Sequence, residues 1–111
     1  MPTSVIMASY VPVNISLSDS LKDLQIKCKW VLSDDQKSIT KTFTFPDFIS
    51  TFTFMTQIAF EAEKLNHHPD WSNVYNKLQI TWSTHEIKGL SKHDIKMALY
   101  CDKVYCKFSM E

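Results

Sequence analysis

Between Pro46 and Pro69 the sequence carries one helix-period apolar pattern, long enough to organise everything around it. Pro46 suits a first helical turn, where its missing N–H costs nothing, and Asp47 complements the helix dipole. Phe48, Phe52, Met55, Ala59 and Ala62 then recur at three- and four-residue spacing, with Ile58 and Leu65 on the same side. Thr56, Gln57, Glu61 and Lys64 form the polar face. The pattern stops at His68, because the residue before a proline is pushed out of the helical region. His67 and His68 therefore sit where a long helix ends.

The flanking segments read as strands and short helices. Ile26 to Ser33 begins as an alternating strand and runs into a polar turn at Asp34-Asp35. Ser38 to Phe45 alternates clearly, with Ile39, Lys41, Phe43 and Phe45 on one face and Ser38, Thr40, Thr42 and Thr44 on the other. These two segments pair as a hairpin. Asn73 to Ser83 reads as one strand with Val74, Leu78, Ile80 and Trp82 facing one way, and Glu86 to Leu90 is a connection. Ser91-Lys92-His93-Asp94 has the form of a capping box and opens a last helix to about Lys107. Ser18 caps a short helix over Asp19 to Leu24, and residues 1–17 form an extended arm. The expected fold is α+β: one domain over 18–111, with an antiparallel sheet of about four strands covered on one face by helices. At 111 residues there is no room for a second core.

Charge narrows the partners. Twelve basic residues balance twelve acidic ones, so no net field draws the chain to nucleic acid or to an anionic membrane. Near-zero charge also leaves little repulsion against self-association. Cys28, Cys101 and Cys106 are an odd number without CxxC spacing, which suggests neither a disulfide framework nor a zinc site. No apolar run reaches transmembrane length. The stretch Met1 to Val13 lacks a basic region and a cleavage site, so no signal peptide is expected. The cytoplasm is the expected location, with the nucleus also open, and the Asn14-Ile15-Ser16 sequon would be idle there.

The residues that carry chemistry are histidines. His85 follows the polar step Ser83-Thr84 at the end of a strand, and Asp94 lies in the first turn of the last helix, able to orient an imidazole. Adjacent side chains on a helix diverge by roughly a hundred degrees, which suits His67 and His68 poorly to joint chelation of one metal ion. Proton transfer is the better match, because imidazole titrates near neutrality and one ring can donate while another accepts. His93 reads as a solvated first-turn residue.

The run Ala62-Glu63-Lys64-Leu65-Asn66-His67-His68-Pro69-Asp70-Trp71, continued by Asn73-Val74-Tyr75-Asn76-Lys77, Ser83-Thr84-His85-Glu86, Gly89-Leu90-Ser91 and Asp94, resembles the pterin-4a-carbinolamine dehydratase family. The resemblance extends from about Trp30 to the end. Glu63, His67, His68, Pro69, Tyr75, His85 and Asp94 fill the family pattern in order.

The resemblance implies a hydro-lyase acting on 4a-hydroxytetrahydrobiopterin, the carbinolamine left by aromatic amino acid hydroxylation, within tetrahydrobiopterin recycling. It implies His67 and His68 as the principal acid–base pair and His85 as a third catalytic group. Glu63, one turn before His67, would bias the tautomer of that ring, and Asp94 would do the same for a second histidine. Ser83 and Thr84 would line the pterin edge, Pro69 and Asp70 would shape the pocket, and Trp30 would either cover the ring face or serve as a core aromatic. No metal and no organic cofactor are expected. Members of the family are homodimers or homotetramers, and Phe54 and Phe60 are expected to be exposed aromatics compatible with such contacts. The competing reading is a protein-binding oligomerisation module resembling a transcriptional coactivator's dimerisation partner.

Overall fold

The computed structural model describes residues 15–108. Helix α1 spans Ile15–Lys27, β1 Val31–Leu32, β2 Ile39–Thr44, α2 Phe48–Leu65, β3 Asp70–Val74, β4 Lys77–Trp82 and α3 Lys92–Tyr105, with a short 3₁₀ turn at His85–Ile87 before α3. The strands form one antiparallel sheet in the order β1-β2-β4-β3. The fold is thus the expected α+β sheet of four strands. Most of the arm expected over 1–17 lies outside the described residues, and 15–17 are helical. Among the described residues no helix is long and apolar enough to cross a membrane.

Alternation along β2 and β4 decides which face of the sheet is covered. Ile39 and Phe43 of β2 and Leu78, Ile80 and Trp82 of β4 are buried against Leu24, Phe54, Ile58, Ala62, Ile95, Ala98 and Cys101 from the helices. The opposite face is polar, with the Thr40 and Thr81 hydroxyls in contact at 2.8 Å across the strands. α2 begins where Asp47 accepts a hydrogen bond from the Ser50 amide, so Asp47 is the cap and Pro46 lies just outside.

Three local expectations change. The first strand is cut to Val31–Leu32 because α1 continues to Lys27 and closes with Lys29 in a left-handed conformation (φ 68°), the Trp30 amide reaching back to the Leu24 carbonyl at 3.0 Å. The segment 73–83 is a hairpin, not one strand: its turn is held by the Asn73 side-chain amide, which donates to the Tyr75 and Lys77 carbonyls. The buried stripe of α2 is Thr51, Phe54, Ile58 and Ala62, while Phe48, Phe52 and Ala59 face out. Phe60 is exposed as expected, and Phe54, expected to be exposed, is fully buried. Periodicity alone cannot choose between two apolar stripes on one helix. Thr51 is tolerated inside because its hydroxyl donates to the Asp47 carbonyl.

Under the sheet, the Lys41 ammonium meets Asp102 at 2.6 Å, and the Trp30 indole N–H donates to the other carboxylate oxygen at 2.8 Å. The ammonium also sits 4.9 Å from the centre of the Phe43 ring. Both charged side chains are less than a fifth exposed (17% and 18%). Removing one partner strands the other, so Asp102→Ala should lose about 2–3 kcal/mol of stability in urea unfolding. An unchanged midpoint would show the pair to be unimportant.

Candidate functional site

The geometry of the histidine pair is set by how α2 stops. Asn66 adopts the left-handed conformation (φ 52°, ψ 44°), its amide donates to the Glu63 carbonyl, and the His67 amide reaches back to Ala62 at 3.0 Å. This is a Schellman closure, for which asparagine is the best residue after glycine. The reversal turns His67 into the protein and His68 outward, with side chains 5% and 55% exposed.

His67 is held on several sides. Its Nε2–H donates to Asp94 Oδ1 at 2.6 Å, its ring stacks on Trp82 at 5.8 Å and 17°, and His93 packs edge-on at 5.6 Å. Asp94, fully buried, accepts two further hydrogen bonds at Oδ2, from the Thr84 hydroxyl at 2.7 Å and the Ser91 amide at 2.9 Å. Because Thr84 spends its one hydroxyl proton there, the Ser91 hydroxyl must donate to Thr84 Oγ1, leaving Ser91 Oγ to accept from the His93 amide. The capping box that starts α3 is thus the same network that fixes the tautomer of His67.

His68 Nε2 lies 2.8 Å from Glu63 Oε1 on the surface. The pairing of carboxylates differs from expectation: Glu63 stands behind His68, not His67, and Asp94 takes His67. A one-turn relation between Glu63 and His67 requires the helix to continue, and it ends at Leu65.

His85 opens the 3₁₀ turn, which the bridge between Thr84 and Gly89 closes. A cleft of about 160 Å³ is lined by Asn66, His67, His68, Ser83, His85 and Glu86. All three expected histidines and Ser83 therefore meet in one place, with Thr84 buried immediately behind. Pro69 and Asp70 carry the chain from His68 into β3, where Asp70 pairs with Thr81; neither lines this cleft. Trp30 lies in the core, edge-on to Phe43, with its indole on Asp102. His93, expected to be solvated, is half-buried; burial foremost, then the neighbouring His67, pushes its imidazole below the ordinary histidine value. Asn66, Glu86 and Trp82 were not anticipated as site residues. Asn66 was findable, as an asparagine at the foot of an apolar helix.

Residues 14–104 match the model of the family described as pterin 4 alpha carbinolamine dehydratase. A provisionally named pterin-4-alpha-carbinolamine dehydratase of Rhizobium meliloti (strain 1021) is 58% identical over 74 residues, covering 67% of this chain and 71% of that one. A like-named protein of Sinorhizobium medicae (strain WSM419) is 55% identical over the same length, covering 67% of this chain and 70% of its own. The crystal structure of a transcriptional coactivator/pterin dehydratase from Brucella melitensis superimposes with a TM-score of 0.75 at 38% identity, over 85% of this chain and 98% of that one. By sequence and by fold together, this chain belongs to the pterin 4 alpha carbinolamine dehydratase family.

Proposed function

We propose that the protein is a hydro-lyase that converts 4a-hydroxytetrahydrobiopterin to quinonoid dihydrobiopterin and water in the cytoplasm, as a step of tetrahydrobiopterin recycling. The observation that carries this reading is the meeting of His67, His68 and His85 around one cleft, with Asp94 and Glu63 behind the first two. In the reaction the C4a–O bond breaks and the hydroxyl leaves as water after gaining a proton. N5 loses its proton, and the freed electron pair forms the C4a–N5 double bond. Hydroxide leaves poorly at neutral pH, so one imidazole gives a proton to the oxygen while another takes the N5 proton. Each positioned partner is typically worth about 10² to 10⁴ in rate. Ser83 supplies a polar group at the edge of the cleft, and Thr84, buried behind it, acts through Asp94.

The exposed Phe48, Ile49, Phe52 and Phe60 on α2 support a homodimer or homotetramer. The words transcriptional coactivator borne by the Brucella structure favour a second reading, an oligomerisation module for another protein. Turnover separates the two. Purified protein without added metal should accelerate loss of the 4a-hydroxyl, followed as the ultraviolet change on forming quinonoid dihydropterin. A rate no faster than buffer would remove the enzyme reading and leave the module.

A further inference from the structure

The turn between β1 and β2 and the connection from β4 to α3 leave the sheet at the same end, because Ile39, first in β2, pairs with Trp82, last in β4. Between them lies a second cleft of about 350 Å³, lined on one side by Asp35, Lys37 and Ser38 and on the other by Lys88 and Gly89. Ser83 and His85 line both this cleft and the histidine cleft, so the two spaces adjoin along His85.

The charge of the second cleft is lopsided. Asp35 is folded back on its own turn: the Ser33 hydroxyl donates to it at 2.6 Å and the Lys37 amide at 3.0 Å, and these bonds hold its carboxyl below the usual range. Neither Lys37 nor Lys88 forms an ion pair among the described residues. Lys88 occupies a left-handed position (φ 52°) that closes the 3₁₀ turn through its amide to the His85 carbonyl. Two exposed lysines thus line a cleft whose one lining carboxylate, Asp35, is already hydrogen-bonded within its own turn and also feels the charge of Lys37.

In a 4a-hydroxypterin the reacting C4a–N5 edge adjoins C6, the carbon that carries the variable side chain. Placed with C4a and N5 among the histidines and C6 turned toward His85, the ring would send that side chain into the adjoining cleft. We propose that the lysine-rimmed cleft receives the C6 side chain, and that it favours a side chain ending in an anionic group such as a phosphate. The proposal rests on the dehydratase reading for the placement of the ring, and it makes a phosphorylated relative of the biopterin carbinolamine, whose own C6 side chain is neutral, the better ligand.

Neopterin and its monophosphate are unreactive analogues that differ only by the terminal phosphate, and quenching of their fluorescence reports binding. The monophosphate should bind about tenfold tighter at low salt, a difference of about 1.4 kcal/mol, and the preference should shrink in 1 M salt. In K37Q/K88Q the ratio of the two affinities should fall from about ten to about one. Equal affinities in the parent chain would overturn the proposal. So would a drop in both affinities with the ratio kept, which would put the pterin ring in the lysine cleft. Inorganic phosphate abolishing the preference at micromolar concentration would also count against it, by assigning the cleft to a free anion. A chain that turns over a neutral carbinolamine without any phosphate preference refutes the side-chain assignment alone; one that neither binds nor turns over any pterin refutes the dehydratase reading with it.

Discussion

Asp94→Asn is expected to cost the protein stability and turnover together. The carboxylate is fully buried and accepts three hydrogen bonds, from His67, Thr84 and the Ser91 amide. Asparagine has nearly the same shape but one acceptor fewer, so one of those donors must face an NH₂ group. A mismatched buried donor and a weakened cap should remove about 2–4 kcal/mol. For a domain of this size that lowers the melting temperature by roughly 10 °C or more. Turnover should fall by about 10² to 10⁴, because the amide no longer enforces the tautomer of His67. A variant that melts like the parent and keeps its rate would show that the network is incidental to both fold and chemistry.

The second large effect separates two neighbours. His67→Ala and His68→Ala should each lose about 10² to 10⁴ in turnover, yet their thermal behaviour should differ sharply. His68 is half-exposed and its ring pairs with the exposed Glu63, so its loss should leave the melting temperature nearly unchanged. His67→Ala strands the Asp94 carboxylate in the interior and removes the ring stacked on Trp82, which should cost about 3–5 kcal/mol. His67→Gln provides the control, since its side-chain amide can still donate toward Asp94 while supplying no titrating ring. Folded His67→Gln with full activity would eliminate His67 as an acid or base.

How much of this was legible in the sequence depended on whether a residue left a local signal. The stop at His68-Pro69 and the capping box at Ser91 and Asp94 are short-range devices, and both were readable. The partnering of the carboxylates was not, because it turns on the single left-handed residue Asn66, which ends α2 one turn earlier than the proline does. The hairpin at Tyr75-Asn76 was hidden for a geometric reason. Val74 pairs with Lys77 across the turn, so the two share a face, and the alternation of Val74 with Leu78 is a coincidence of parity. Likewise α1 overruns the expected strand because it closes on Lys29, where no glycine or asparagine announces a stop. Trp30 could be assigned to core or pocket from sequence, and its contact with Asp102, 72 residues away, gives it a core role no local pattern encodes.

The reversal at Asn66 has a further consequence, in time as well as in space. Its two successors are consecutive in the chain but anchored to different parts of the molecule. His67 is fastened to the first turn of α3 and to the inner strand β4, whose amides should be among the slowest to exchange with solvent. His68 leads through Pro69 into β3, one of the two edge strands, paired only with β4 among the described residues. Edge strands open far more often than the sheet interior. One imidazole is therefore anchored to the core and its neighbour to the rim, so the backbone amide of His67 is expected to exchange more slowly than that of His68.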